Sequence, residues 1–288
     1  MRPPRIDLHA HSTASDGVLT PDELVRSAAA AGVDVLALTD HDTTGGLDRA
    51  AAALPAGMTL LPGAEISCSV QVSGRRIALH VLAYLFDRAE PRFAAARARL
   101  RDERANHARR MVERIAAAGH PVRWERVQEL ARGTVGRPHV AAALVDAGVV
   151  PTVEAAFTRE WIGSGGRFWL PKQPPDVWET LRMIRAAGGV SVFAHPFASA
   201  RGDTVGPEVI VGMARAGLTG VEVDHPDHTP PDRERLRALA AELDLVVTGS
   251  SDFHGGTGDR RVLGSESTSR ESYEALVARA SGAAPITG

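Results

Sequence analysis

Val33-Asp34-Val35-Leu36-Ala37-Leu38-Thr39-Asp40-His41-Asp42 is an apolar run that gives way to a polar tail. Near-continuous apolar runs of this length belong to strands buried on both faces, as in a parallel sheet covered by helices. Upstream, residues 6–9 read as a first strand. Thr20-Pro21-Asp22-Glu23 then opens a helix with a capping-box pattern and proline at its first position, and Gly32 ends it. Downstream, a helix over 46–54 leads to a strand over 59–65. Residues 67–72 and 76–85 flank Ser73-Gly74 and read as a β-hairpin.

The pattern changes near Pro91. Residues 91–118, 124–131, 138–147 and 152–161 all read as helical, and Gly163-Ser164-Gly165-Gly166 closes this region. Alternation resumes with helix 176–187 and strand 190–194. Helix 207–216, strand 220–223, helix 231–243, strand 245–248 and a last helix over 270–280 follow. Repeated strand–helix units place parallel strands inside a layer of helices. The economical architecture is an α/β barrel formed by residues 1–90 and 171–288, with 91–170 inserted as a helical subdomain capping the substrate site.

Composition narrows the function classes. Hydrophobic residues make up 44% of the 288, enough for a large core, and a net charge of -2 argues against a nucleic-acid coat or a membrane-surface protein. Cys68 is the only cysteine, so the chain forms no internal disulfide. The first residues lack the apolar stretch of a signal peptide, and no window approaches the ~18 apolar residues of a membrane span. A cytoplasmic enzyme is the expectation. All but one of the 33 basic residues are arginine, Lys172 being the exception. That bias weakens any single arginine as a sign of phosphate recognition.

Chemistry concentrates where the strands give out. Strand one ends in Asp7-Leu8-His9-Ala10-His11, whose alternation puts both histidines on one side, and Asp16 follows. The second ends in Thr39-Asp40-His41-Asp42 and the third at Glu65, while His80 lies in the hairpin. Later strands end in Ala194-His195-Pro196 and in Ser250-Ser251-Asp252-Phe253-His254. Any one of these side chains can merely satisfy nearby backbone groups. Six of eleven histidines and three carboxylates at corresponding places are not explained that way, because strand ends of a parallel barrel converge on one face. Nitrogen and oxygen donors without thiolate suit Mn, Zn or Fe. Asp40 and Asp42 flank a candidate ligand, and can orient it or cap the next helix. Asp40 is also the candidate for a catalytic role.

These motifs resemble the PHP (polymerase and histidinol phosphatase) family, from residue 6 to about 254 outside the insertion. The resemblance implies a distorted (β/α)7 TIM-like barrel and a centre of three divalent cations per chain, with Mn expected first and Zn or Fe as alternatives. It implies that His9, His11, Glu65 and Asp252 hold one cation. Glu65 bridges to a second, completed by His80 and His195, and Asp16, His41 and His254 hold the third. Clustered divalent cations neutralise phosphate oxygens and make hydroxide available near neutral pH for in-line attack on phosphorus.

Between Arg92 and Arg137 twelve arginines face five acidic residues, an excess of +7. A solvated helix surface accounts for much of this. However, Arg104 and His107 share a helical stripe with Phe93, Leu100, Met111 and Ile115, at ~100° per residue. Charged groups there need a partner or an anion. Gly136-Arg137-Pro138-His139 opens a helix whose free N–H groups attract anions, although it also reads as an ordinary helix start.

Within the family, this stretch is similar to the nucleoside-3′,5′-bisphosphate phosphatases and RNase AM-like 5′→3′ exoribonucleases. That branch implies hydrolysis of a 3′ phosphoester beside a bound 5′-phosphate, with one phosphate at the cations and another held by the insertion. Arg104, His107, Arg137, His139 and Lys172, which follows the glycine-rich turn, are the candidate substrate contacts. His225 and His228 lie past another strand end without belonging to the nine-residue pattern. Histidinol-phosphate phosphatase is the enzymatic alternative, and a noncatalytic metal-binding interaction module is the alternative from another class. A small phosphorylated substrate, nucleotide or short RNA, is the partner expected.

Overall fold

The computed structural model describes residues 2–131, 133–171, 174–199, 202–255 and 261–288. In chain order the elements are β1 (Ile6–Ala10), α1 (Pro21–Ala30), β2 (Val35–Leu38), α2 (Leu47–Ala52), β3 (Thr59–Val72) and β4 (Arg75–Tyr84). Next come α3 (Pro91–Ala117), α4 (Trp124–Leu130), α5 (Arg137–Asp146), α6 (Val153–Ala156) and α7 (Val177–Ala186). The rest are β5 (Val190–Phe193), α8 (Pro207–Arg215), β6 (Gly220–Asp224), α9 (Pro230–Glu242), β7 (Val246–Gly249), α10 (Arg270–Arg279) and β8 (Ile286–Thr287).

Seven strands form one sheet in sequential order, β1 to β7. It curls almost shut. Past the end of β1, the His11 N–H donates to the Phe253 carbonyl at 2.8 Å, and Ala10 bridges to Phe253 in parallel. The architecture is the distorted α/β barrel expected from the strand–helix alternation. Apolar strands such as Val35–Leu38 and Val190–Phe193 are buried at every position, because the sheet is covered on both sides.

Four features differ from the sequence reading. β3 is one 14-residue strand, where two shorter ones were expected: its first part, Thr59 to Pro62, pairs in parallel with β2, and the rest, Gly63 to Val72, forms the hairpin with β4. β4, the second arm of the expected hairpin, also runs antiparallel to β5, so the barrel is not parallel throughout, because a tight hairpin must reverse the chain. The two residues of β8 pair with β3, too short a segment to show any periodicity. Helix α6 stops at Ala156, and the chain then turns back on itself, with the Gly163 and Gly166 N–H groups bonded to Thr158 and Gly163 carbonyls.

The helices between β4 and β5 have an apolar cluster of their own, including Met111, Ile115, Leu144, Ile162 and Phe168. The 27-residue helix α3 is shared between this cluster and the barrel: Phe93 and Leu100 pack with the barrel core, and Ala108 onward with the helical cluster. Arg104 and His107 sit at the crossover. Among the described residues no helix is long and apolar enough to cross a membrane.

Inside the barrel, the Tyr84 hydroxyl donates to the Leu8 carbonyl at 2.6 Å, with both residues fully buried. Tyr84→Phe removes one hydrogen bond of β1 and should lower stability by about 1 kcal/mol. Urea unfolding checks this. An unchanged midpoint would show that the contact carries no net stability.

Candidate metal centre

The strand ends deliver their side chains to one buried cluster. His9 and His11 leave β1 on the same side, and their Nε2 atoms stand 3.1 Å apart. Glu65 reaches between two groups of imidazoles. Its Oε2 lies 3.3 Å from His9 Nε2, 3.2 Å from His11 Nε2 and 3.1 Å from His41 Nδ1. Its Oε1 lies 2.8 Å from His80 Nδ1 and 3.0 Å from His195 Nε2. Asp252 Oδ1 completes the first group, 3.2 Å from His9 Nε2 and 3.3 Å from His11 Nε2. Asp16 faces the other side, 3.5 Å from His254 Nε2 and 3.6 Å from His41 Nε2.

All nine residues singled out from strand ends thus meet in one place. Three overlapping groups have donor atoms close enough to share a cation: His9 with His11 and Asp252, His41 with Glu65 and His80, and His11 with Asp16, His41 and His254. The donor set fits divalent cations. Among the described residues, the buried Asp16 Oδ1 and His41 Nδ1 lie near other groups of the cluster without making a well-formed hydrogen bond, a costly state that a cation would relieve.

A further layer of carboxylates braces the cluster from behind. Asp7 accepts hydrogen bonds from the Ser251 N–H at 3.0 Å and hydroxyl at 2.6 Å, and from the Gly264 N–H at 2.8 Å. Asp40 accepts from the Ser12 N–H at 2.8 Å and from the hydroxyls of Ser12 and Ser15, at 2.7 and 2.6 Å. Asp42 accepts from the Ser67 N–H at 2.7 Å and hydroxyl at 2.9 Å. Each aspartate therefore grips a serine beside a neighbouring strand's donor. Asp42, His195 and Asp252 have left-handed backbones, with φ of 57°, 31° and 50°. Such strain costs on the order of 1–3 kcal/mol per residue and persists where surrounding contacts over-determine it.

Comparison with known proteins agrees with this geometry. The PHP domain model matches residues 7–120. A 5′-3′ exoribonuclease of Haemophilus influenzae is 37% identical over 254 residues, 87% of this chain and 90% of that protein. The chain belongs to the PHP family. A 3′,5′-nucleoside bisphosphate phosphatase of Chromobacterium violaceum is also 37% identical, over 89% of this chain and 90% of its own. A solved structure from Bifidobacterium adolescentis, assigned as a metal-dependent phosphoesterase, superposes with a TM-score of 0.88 at 35% identity. It covers 97% of this chain and 98% of its own.

In this PHP chain the expected substrate contacts occupy different settings. Arg104 is buried, with Nε on Asp42 at 2.6 Å and a second nitrogen on the Ser67 hydroxyl at 3.3 Å. His107 Nε2 bonds the Leu170 carbonyl at 2.7 Å. Arg137 and His139 lie at the start of α5, and Lys172 falls outside the described residues. His225 Nδ1 accepts the Asp227 N–H at 3.0 Å, leaving Nε2 facing Asp252 Oδ2 at 3.3 Å. His228 is held between the Phe197 N–H and the Val223 carbonyl. Glu222 on β6 is not among the residues that the sequence pattern singles out, since it falls inside the strand expected over 220–223. Its only signal is a lone charge between Val221 and Val223.

Burial and charge set the protonation of the PHP cluster. Burial alone lowers the pKa of the His11 imidazole, but hydrogen bonds to Asp252 and Glu65 and the charges of Glu65 and Asp16 raise it to about 9. Burial likewise opposes the carboxylates of Glu65 and Asp16, yet the facing imidazoles pull both well below the usual range. For His11 the raised folded pKa stabilises the cation-free protein below pH 6.5, and that contribution is lost as pH rises through about 9. Glu65 and Asp16 act oppositely, stabilising above the ordinary carboxylate range and less as acid protonates them. Divalent cations need His11 neutral, so adding them at pH 7 should release protons and bind more tightly as pH rises. Calorimetry in buffers of different ionisation enthalpy measures the release. Binding without proton release would contradict this electrostatic picture.

Proposed function

We propose that this chain is a hydrolase of nucleotide phosphoesters. It removes the 3′-phosphate of nucleoside 3′,5′-bisphosphates, trims short 5′-phosphorylated RNA from its 5′ end, or does both. The observation that carries the reading is a second cationic site beside the nine-residue cluster. Arg137 is half-buried, and no described carboxylate pairs with it. Burial and the neighbouring Arg104 lower its guanidinium pKa, a direction with no anion behind it. The Gly136 N–H donates to His139 Nδ1 at 3.0 Å, so the ring proton sits on Nε2 and can be donated outward. Asp16 of the cluster lies near enough to act on His139 electrostatically. A substrate with one phosphate at the cluster and another at the start of α5 satisfies both sites.

In this reading His9, His11, Glu65 and Asp252, then Glu65, His80 and His195, then Asp16, His41 and His254 hold three divalent cations, manganese first among them. Bound there, the cations supply Lewis acidity and charge neutralisation for attack on phosphorus. The protein's own work is orientation. Arg137 and His139 fix the remote phosphate, which aligns the 3′ phosphoester with the cluster. Arg104 and His107 support the cap: Arg104 ties α3 to Asp42, next to His41, and His107 ties it to the segment preceding α7. Asp40 positions the His11 and Asp16 segment through Ser12 and Ser15, an alternative to a catalytic role. The names of the Haemophilus and Chromobacterium relatives favour the same substrate class.

The test is phosphate release by manganese-loaded protein from adenosine 3′,5′-bisphosphate, 3′-AMP, histidinol phosphate and 5′-phosphorylated short RNA. The bisphosphate or the RNA should show the highest kcat/KM. Arg137→Ala should raise KM for the bisphosphate by about 10–100-fold, the worth of one charged hydrogen bond, and leave 3′-AMP nearly unaffected. Preference for histidinol phosphate, or equal effects of the substitution on both nucleotides, would sink the proposal.

A further inference from the structure

We infer that Glu222 is a positioning residue of the cation centre, holding the His9 imidazole so that Nε2 faces the cluster. It occupies the middle of β6, fully buried, between the core residues Val221 and Val223. Its Oε1 lies 3.1 Å from His9 Nδ1 and also accepts the Ser250 hydroxyl. Its Oε2 accepts the His195 backbone N–H at 2.8 Å. One carboxylate on β6 thus joins the ends of β1, β5 and β7, and all three of those ends carry residues of the cluster.

The chemistry follows from the two nitrogens of imidazole. A ring bound to a cation through one nitrogen carries its proton on the other, and the partner of that proton decides which nitrogen is which. Here the partner is an anion, so the proton belongs on Nδ1 and the lone pair on Nε2. That places the lone pair 3.3 Å from Glu65 Oε2 and 3.2 Å from Asp252 Oδ1. Carboxylate partners of this kind also increase the basicity of the ligating nitrogen. Asp7 and Asp40 grip backbone and hydroxyl groups, and Asp42 grips these and the Arg104 guanidinium. Glu222 alone of the four bracing carboxylates bonds the side chain of one of the nine proposed ligands.

The inference rests on the reading of the nine residues as a cation centre, and its test separates the two. Wild-type, Glu222→Gln and Ser250→Ala proteins are loaded with manganese, and cation release is followed against increasing chelator. Glu222→Gln should weaken one class of bound cation about 10–100-fold and leave the others within about 2-fold. Ser250→Ala keeps the His9 contact, so its affinities should remain within about 3-fold of wild type. In zinc-loaded wild-type protein, nitrogen NMR should show a His9 ring protonated at Nδ1 and ligated at Nε2, assigned by its loss in His9→Gln.

Unchanged cation affinity in Glu222→Gln, equal weakening of every class, or the reverse His9 tautomer would each overturn the role of Glu222 while leaving the centre intact. Wild-type protein that takes up no cation would overturn both readings.

Discussion

The structure depends on the repulsion and desolvation of donor atoms turned toward one another. Nine imidazoles and carboxylates, five of them buried and four half-buried, point inward, with His9 Nε2 and His11 Nε2 only 3.1 Å apart. Lone pairs do not gather in a dry interior without a compensating charge. In the cation-free chain, part of that charge comes from protons, which is why the His11 imidazole stays protonated to about pH 9. Divalent cations held by these donors would replace those protons with a denser charge, and the same crowding would then serve as an ordered set of ligands.

Holding such a cluster open before cations arrive requires rigid backing. The barrel provides it through short polar contacts at the rim. Asp7 links β1 to Ser251, Asp40 links the end of β2 to Ser12 and Ser15, and Asp42 links it onward to Ser67. Glu222 closes the far side. The left-handed backbones at Asp42, His195 and Asp252 persist within this bracing. The helices between β4 and β5 are attached to the same frame, because Arg104 bonds Asp42 and the Thr134 N–H bonds the Ala14 carbonyl, two residues before Asp16. These helices and the cluster are therefore parts of one scaffold, as the proposed two-phosphate substrate would require.

The inner shell was legible in sequence for a simple reason. Most donors sit at or just past the end of an apolar strand, with Glu65 and His80 inside the hairpin strands as exceptions. Period-two alternation tells which side a strand residue takes, so His9 and His11 could be paired without coordinates. The bracing layer was less legible. Ser12, Ser67 and Ser251 look like ordinary loop or strand residues, and Glu222 is one charge in a short strand whose partners lie 27, 28 and 213 residues away. The cap divided along the same line. Helical periodicity put Arg104 and His107 on a buried stripe, and they are buried, but only tertiary packing shows that Asp42 and the Leu170 carbonyl receive them. The long β3 escaped detection because its two halves serve different neighbours.

Anomalous diffraction from crystals of the manganese-loaded protein addresses the central claim most directly. The account predicts metal peaks within about 2.4 Å of donors from His9, His11, Glu65 and Asp252, from His80 and His195, and from Asp16, His41 and His254. Peaks confined to other parts of the molecule, or these nine side chains turned away from one another, would contradict it.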